Sequence, residues 1–292
     1  REWREVVVEH EFLAVLIHQS IDSLLITGGS QSDSYERLGF ERRGRELRIT
    51  IENGRLNAVD FPMHEELARV FYEVQQDAES DLIVLTGAVR AFCAGGDMDW
   101  FQSMIDDTDL FRGIANDAKR IVNGLLELEK PVVCRLNGAA AGLGASIALL
   151  CDVIVADETA KIGDPHVKVG LVAGDGGAVI WPQLIGFARA KEMLLTGELI
   201  AAKEAAEMGL INHAVPTEEL DAKTDEITGK ILANPRWAVR WTKTAVNLVL
   251  RDIANRVMDA AIAYEISSNA TKDRQEAVTA FVEKRAPNFT GD

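Results

Sequence analysis

The chain has 292 residues, of which 47% are hydrophobic and 26% are charged, and its formal net charge at pH 7 is −15. This length and balance are typical of a globular protein with a sizeable core. So acidic a chain argues against unaided binding to nucleic acid or to an anionic membrane, because both need a basic surface. Cys93, Cys134 and Cys151 lie in apolar surroundings and are predicted to be buried free thiols. The scattered histidines fit none of the usual metal spacings, so we expect no metal site.

Residues 1–33 differ from the rest of the chain, and we interpret them as an N-terminal extension of unknown role. Small and polar residues at 27–32 are typical of a flexible connection. The apolar run at 12–17 is too short to span a bilayer, and no targeting pattern is recognisable. The expected location is therefore cytoplasmic.

From residue 35 onward, strands alternate with helices. The patterns predict strands at 46–51, 81–86, 131–136, 152–156, 161–162 and 211–215. They predict helices at 63–76, 111–128, 144–150, 179–185, 188–195 and 202–208. Pro182 should make one of these helices begin late or kink. Almost wholly helical sequence follows, so we expect an α/β core at 34–215 and a helical region at 216–292.

Two glycine-rich turns carry the clearest chemical signal. The first, at 91–97, contains Gly95 and Gly96, and the second, at 137–144, contains Gly142. Each is expected between a strand and a helix, an arrangement that leaves backbone N–H groups without intrahelical partners. Brought together, two such turns could hold a developing oxyanion, and one donor of that kind contributes roughly 2.7–4 kcal/mol to catalysis. The alternative is that both turns merely pack closely.

These turns, with several further segments, resemble the crotonase (enoyl-CoA hydratase/isomerase) superfamily over residues 36–289. The matching segments are 91–98, 131–133, 137–144, 151–152, 170–177, 195–197, 201–212 and 280–285. The resemblance implies an α/β fold, a crotonase-like ββα spiral with a C-terminal helical region that makes trimers. It also implies that a thioester oxygen is held between the backbone N–H groups of Gly96 and Leu143.

The same resemblance implies contacts with coenzyme A, which would enter as part of the substrate and not as a separate cofactor. Arg55, Asn57 and Ala58 match a loop whose backbone touches the adenine. Phe281 and Lys284 match tail positions that reach a neighbouring subunit's CoA, and a solvated surface charge is the alternative for Lys284. The expected partners are an acyl-CoA thioester or a cyclic β-dicarbonyl and further copies of the chain in a homotrimer or hexamer, with no nucleic acid and no membrane.

The chain departs from the hydratase pattern at both catalytic carboxylates. Water addition needs two carboxylates that act as base and acid, but Ser146 and His166 occupy the two glutamate positions. A serine cannot accept a proton at neutral pH. Asp164 and Glu158 are nearby carboxylates that could replace a missing glutamate.

The segment at 164–182 is similar to that of oxocamphor hydrolase, a crotonase homologue that cleaves a cyclic β-diketone without CoA. The resemblance implies that His166 and Asp175 activate a water, and that His64 matches an extra histidine of that enzyme. A histidine can accept a proton near neutral pH, and an aspartate can orient its ring. The alternatives are a structural role for His166 and a helix N-cap role for Asp175.

The sequence therefore favours hydrolysis of a C–C bond, a retro-Claisen reaction, by His166 and Asp175. The alternatives are a conventional enoyl-CoA hydratase or isomerase that uses another carboxylate, and a non-catalytic acyl-CoA-binding homologue. The side chains expected to line the substrate pocket are His64, Ser146, Trp100 and Trp181.

Overall fold

The computed structural model describes residues 34–292, and the extension predicted at 1–33 lies outside the described residues. The strands are β1 (Leu38–Arg43), β2 (Glu46–Ile51), β3 (Leu82–Gly87), β4 (Ala91–Cys93), β5 (Val132–Leu136), β6 (Ala139–Ala141), β7 (Val153–Asp157), β8 (Lys161–Gly163), β9 (Leu199–Ala201) and β10 (His213–Val215). The helices are α1 (Phe61–Gln75), α2 (Met98–Asp106), α3 (Thr108–Glu127), α4 (Leu143–Leu149), α5 (Gly177–Thr196), α6 (Ala202–Glu207), α7 (Leu220–Leu232), α8 (Arg236–Asn269) and α9 (Lys272–Glu283). Short 3-10 helices lie at His166–Val169 and Thr217–Glu219. Strands and helices alternate as far as β10, and helices alone follow it.

The strands form two sheets. The larger has the order β1-β2-β3-β5-β7-β10, in which β1 and β2 are antiparallel and the other neighbours are parallel. The smaller has the order β4-β6-β8-β9, and its β8–β9 pair is antiparallel. Every residue of β3 is buried, as expected for a central strand of a largely parallel sheet that is covered on both faces.

The smaller sheet positions the two glycine turns. β4 pairs in parallel with β6, so Ala91 lies beside Ala139 and both turns leave the same end of the sheet. The sequence placed these turns directly after the longer β-branched strands, and that placement was wrong. β4 and β6 are short strands without the β-branched residues that signal a strand, so the periodicity analysis missed them. Their pairing brings the turns together.

Aspartates begin the two helices that flank these turns. The Asp60 side chain accepts a hydrogen bond from the Met63 N–H at 3.0 Å, and this fixes the start of α1. Asp97 accepts from the N–H groups of Asp99 and Trp100 at 2.9 and 3.2 Å and fixes the start of α2. The two caps therefore fix where α1 and α2 begin beside the glycine turns.

The break in α5 differs from the sequence prediction. Pro182 stays within the helix, whereas Gly186 has non-helical angles of φ 77° and ψ 161°. A glycine adopts this conformation at little cost because it has no Cβ. The predicted helices at 179–185 and 188–195 are thus two parts of one element that bends at the glycine.

The remaining predicted strands and helices are confirmed to within a few residues at their ends. Apolar residues from both sheets and from the helices packed on them form the main core. Cys93, Cys134 and Cys151 are buried and free, as predicted. Across residues 34–292, none of the helices combines the length and the apolar character that crossing a bilayer requires.

The C-terminal helices complete the chamber beside the glycine turns. α8 packs against α3 and α5, and α9 packs against α2 and the 3-10 helix at His166–Val169. Asn269 at the end of α8 donates from its side chain to the Met104 carbonyl of α2 at 2.8 Å. The helical region therefore contributes to the site as well as covering the sheets.

Candidate active site

A cavity lies between the glycine turns and the helices α1, α2, α3 and α8. Most of its wall is apolar: Val59, Trp100, Phe101, Met104, Phe111, Ile114, Ala115, Ala118, Leu143, Leu171, Ile262 and Ile266. The polar side chains in the wall are His64, His166, Asp175 and Glu265. A mainly apolar cavity with a few converging polar groups is the usual form of a small-molecule site.

Gly96 and Leu143 lie in the wall of this cavity. The Val59 N–H donates to the Gly95 carbonyl at 2.8 Å, and the Asp97 N–H donates to the Val59 carbonyl at 2.9 Å. These two bonds flank Gly96 and do not use its N–H. Leu143 is the first residue of α4, where an N–H has no acceptor within the helix. Both residues thus lie beside the cavity, and their predicted role as donors to a substrate oxygen stays a prediction.

The backbone of Gly96 lies close against a side chain of the cavity wall. A Cβ there would overlap the ring of Phe101, which itself lines the cavity. The lack of a side chain lets the backbone of the first turn reach the cavity surface.

The ring of His166 lies between two aspartates. Its Nδ1 is hydrogen-bonded to Asp164 Oδ1, and its Nε2 lies 3.3 Å from Asp175 Oδ2. Asp164 is fully buried, and His166 and Asp175 are each 7% exposed. The Ser146 hydroxyl donates to Asp175 Oδ1 at 3.5 Å. Two carboxylates therefore fix both nitrogens of one ring.

The surroundings of His166 make it a stronger base than a free histidine. Burial opposes the charged imidazolium, but the negative charges of Asp175 and Asp164 and the hydrogen bonds to both outweigh that effect. The pKa of His166 is consequently raised well above its ordinary value. Because the group also lines the cavity, it can take a proton from a bound molecule and hold it as a stabilised imidazolium.

The three side chains of this cluster also offer one possible cation ligand each. Within the described part of the chain, ligand atoms of Asp164, His166 and Asp175 lie within 4.8 Å of one another. A metal-bound imidazole must leave one ring nitrogen bare. Here each nitrogen already faces a carboxylate, so the arrangement fits a protonated imidazole better than a metal ligand.

Glu265 is a site residue that the sequence analysis missed. It lies on α8, is 6% exposed and lines the cavity. Burial, followed by the charge of Asp175, raises its pKa well above the ordinary value and so favours the protonated acid. A Cβ at Gly174 would lie 2.6 Å from Glu265 Oε2, so the glycine permits the close approach of this side chain.

Comparison with known proteins decides the family. The family model described as enoyl-CoA hydratase/isomerase matches residues 45–292 of this chain. The chain belongs to this family, the crotonase superfamily. A 1,2-epoxyphenylacetyl-CoA isomerase of Escherichia coli is 33% identical over 241 residues, which cover 81% of this chain and 91% of that protein. The resemblance seen in the sequence is thereby confirmed.

Solved structures agree with the crotonase assignment. An enoyl-CoA hydratase/isomerase from Mycobacterium paratuberculosis has a TM-score of 0.81 and 37% identity, covering 85% of this chain and 99% of that one. A β-diketone hydrolase from the cyanobacterium Anabaena, bound to (S)-3-oxocyclohexyl acetic acid, has a TM-score of 0.76 and 27% identity, covering 81% and 95%. The predicted α/β spiral with a C-terminal helical region is confirmed, and the trimer stays a prediction.

His64 is a neutral histidine in the wall of the crotonase cavity. It lies on α1, and its ring centroid is 5.5 Å from that of Trp100, which also lines the cavity. Its Nδ1 has no hydrogen-bond partner among residues 34–292. Burial lowers the pKa of His64 to about 4, although the charge of Asp175 opposes this in part. The ring is therefore an uncharged polar group facing an apolar chamber.

We expect His64 to make the folded enzyme sensitive to acid. Its folded pKa of about 4 lies below the ordinary value of 6.5, so the unfolded chain binds a proton first as the pH falls. As the pH falls from 6.5 to about 4, the unfolding free energy of the wild type should decrease by about 3 kcal/mol more than that of His64→Phe. Denaturant unfolding of both proteins at a series of pH values measures this difference, and identical pH dependence would contradict it.

Two side chains predicted to line the pocket lie elsewhere. Trp181 is fully buried in the main core. Ser146 is also fully buried, and it contacts Asp175 instead of lining the cavity. Asp175 is not the side-chain cap of α5, since Gly176 holds that position without a side-chain hydrogen bond. Glu158 follows β7 and does not line the cavity.

The residues predicted to contact CoA lie outside the cavity wall. Asn57 is fully buried, and its side chain donates to the carbonyls of Ala88 and Ala91 at 3.0 and 2.8 Å, so it braces the loop. Arg55, Phe281 and Lys284 are exposed and Ala58 is half-buried. The role of these positions in binding CoA stays a prediction.

Proposed function

We propose that this crotonase hydrolyses a C–C bond of a β-dicarbonyl compound, a retro-Claisen reaction. The observation that carries the proposal is the His166 ring held between Asp164 and Asp175 in a cavity that also presents Gly96 and Leu143. The β-diketone hydrolase of Anabaena, bound to a keto acid and similar in fold to this chain, supports the same chemistry. The two positions of the hydratase glutamates hold a serine and a histidine, which argues against simple hydration.

The first step adds water to one carbonyl of the substrate. The carbonyl oxygen accepts hydrogen bonds from the backbone N–H groups of Gly96 and Leu143, which stabilise the negative charge that develops on it. The neutral form of His166, which grows as the pH rises through its raised pKa, takes a proton from the attacking water at Nε2, and Asp164 and Asp175 stabilise the resulting imidazolium. The product of this step is a tetrahedral oxyanion.

The second step breaks the C–C bond. The oxyanion collapses to a carboxylic acid, and the bonding electrons pass to the adjacent carbon as the enolate of the second carbonyl. Glu265, whose raised pKa favours the protonated acid, gives its proton to the enolate carbon. The imidazolium of His166 then returns its proton to Glu265, so the enzyme ends in its starting state and one water has been consumed.

The cavity favours a neutral, compact and largely apolar substrate. Its wall consists mainly of aliphatic and aromatic side chains, so burying a charged substrate there would be costly. A cyclic β-diketone satisfies both conditions, because it is uncharged and carries two carbonyls in a small apolar ring. His64 can meet the second carbonyl with its neutral ring.

A conventional enoyl-CoA hydratase is the second candidate. Asp175 and Glu265 both line the cavity, and two carboxylates of this kind could grip one water. The raised pKa of Glu265 and the ring of His166 between Asp175 and Asp164 count against that use. The E. coli relative named as acting on a CoA ester keeps this candidate open to test.

The two functions are separated by assay of the purified protein with cyclic and bicyclic 1,3-diketones and, in parallel, with crotonyl-CoA. We expect the diketones to yield keto acids at rates on the order of 1–1000 per second, and crotonyl-CoA to be hydrated far more slowly. Labelled water should enter the new carboxylate once per turnover. Hydration of crotonyl-CoA at such rates without diketone cleavage would overturn the proposal, and tight CoA binding without any product would indicate a non-catalytic homologue.

A further inference from the structure

Arg274 is a buried charge that connects three walls of the site. It lies in the first turn of α9 and is fully buried. Its Nη1 donates to the Val169 carbonyl at 2.7 Å, in the 3-10 helix that begins with His166. Its guanidinium carbon lies 4.3 Å from the ring centroid of Phe101, which lines the cavity.

The guanidinium of Arg274 lacks a complete set of partners. Its Nε donates to Asn269 Oδ1 at 3.3 Å, but its Nη2 has no hydrogen-bond partner among residues 34–292. The groups that it does contact are a carbonyl, an amide and an aromatic ring, and none of these carries a negative charge. A buried cation without an anionic partner is costly to hold in a folded protein. An anion that appears during the reaction could fill this role.

Glu265 is the acid whose charge affects the pKa of Arg274. Burial lowers the pKa of Arg274 to about 10, and the charge of Glu265 opposes the fall, so Arg274 stays a cation at neutral pH. Glu265 precedes Asn269 by four residues on α8, so the two lie on the same face of that helix, one turn apart. The other charged groups around Glu265 are Asp164, His166 and Asp175.

We propose that Arg274 is a positioning residue whose charge stabilises the carboxylate that Glu265 becomes when it protonates the enolate. This inference rests on the proposed function. In that step the O–H bond of Glu265 breaks, a C–H bond forms on the enolate carbon, and the negative charge moves from the enolate to Glu265. Arg274 gains an anionic partner at that moment, so its attraction is stronger after proton transfer than before. Such a difference lowers the barrier to the transfer.

The kinetic test compares Arg274→Met with Arg256→Met, which removes an exposed arginine of α8. Loss of the Arg274 charge raises the pKa of Glu265, so Glu265 becomes a weaker acid. We expect kcat for diketone cleavage to fall about tenfold, KM to change less than about twofold, and the basic limb of the kcat profile to move to higher pH. Arg274→Lys should restore most of kcat, and Arg256→Met should match the wild type. If the basic limb of Arg274→Met stays in place, the proposal is overturned.

An infrared titration tests the same coupling without any turnover. The C=O stretch of a protonated carboxyl that is missing in Glu265→Gln identifies Glu265, and its loss with rising pH reports ionisation. We expect this loss at higher pH in Arg274→Met than in the wild type, and Arg274→Gln serves if the methionine variant does not fold. An unchanged midpoint in the variant that folds would refute the inference. A shifted midpoint in a protein that cleaves no diketone would refute the proposed function alone.

Discussion

His166→Ala should lower kcat/KM for cleavage of a cyclic β-diketone by roughly 10²–10⁴-fold. The imidazole is the group that takes the proton of the attacking water, and Asp164 and Asp175 have no second base to orient once the ring is gone. In the wild type, kcat/KM should rise with pH through the raised pKa of His166, because only the neutral ring can accept a proton. This acid limb should be absent from the residual activity of the variant. Steady-state assays across a pH series measure both effects.

His213→Ala is the matched control for that substitution. His213 lies on β10 at the far edge of the larger sheet and is not part of the cavity wall. Its removal should leave kcat/KM within about twofold of the wild type. If His166→Ala retains wild-type turnover of a confirmed substrate, the ring is structural and another group activates the water.

The position of His166 in the chain was informative because its partners are close in sequence. Asp164 precedes it by two residues and Asp175 follows it by nine, so a local search could find both. The sequence named Asp164 only as a replacement for a missing glutamate. Its actual role follows from its full burial against the ring. The signal for that burial is Gly177, since a Cβ there would overlap Asp164 Oδ2.

Glu265 could not be found in the same way. It is distant from the glycine turns in sequence, and it lies within a long helix whose pattern predicts only a helix. It reaches the cavity because α8 packs along α3 and α5 and because Ser268, one turn further, accepts a hydrogen bond from the Val172 N–H at 3.2 Å. Helix propensity determines that α8 forms, but the angle at which it crosses the core depends on packing that local patterns do not describe.

The dependence on packing also explains why the sequence analysis wrongly placed Trp181 in the substrate pocket. An aromatic residue near a site in sequence is as consistent with the core as with a pocket, since both environments are apolar. Trp181 is enclosed, whereas Trp100 lies in the cavity wall, and the helix positions that decide between them depend on how α2 and α5 are seated. The failure to predict β4 and β6 has a similar cause. These short strands of the smaller sheet form by pairing with each other and not through strong strand propensity.

Leu143→Pro should lower kcat for diketone cleavage by roughly 10²–10³-fold while the protein stays folded. The substitution deletes one backbone N–H and also replaces the apolar side chain that lines the cavity. Leu143 is the first residue of α4, where proline is well tolerated because that N–H has no partner within the helix. Gly142 has φ 55° and ψ −124°, outside the helical region that a following proline disfavours. The measurement is kcat beside the melting temperature.

Leu143→Ala separates the amide from the side chain. It removes the same apolar side chain from the cavity wall but keeps the N–H, so it should retain kcat within about tenfold and act mainly through KM. If proline and alanine cause equal losses, the side chain explains the effect and the backbone donor has no catalytic role. A large loss with proline alone requires that negative charge develops on an oxygen beside the second glycine turn. Hydration and C–C hydrolysis share that requirement, so this pair of variants tests the oxyanion site itself, whichever reaction the side chains of His166 and Glu265 complete.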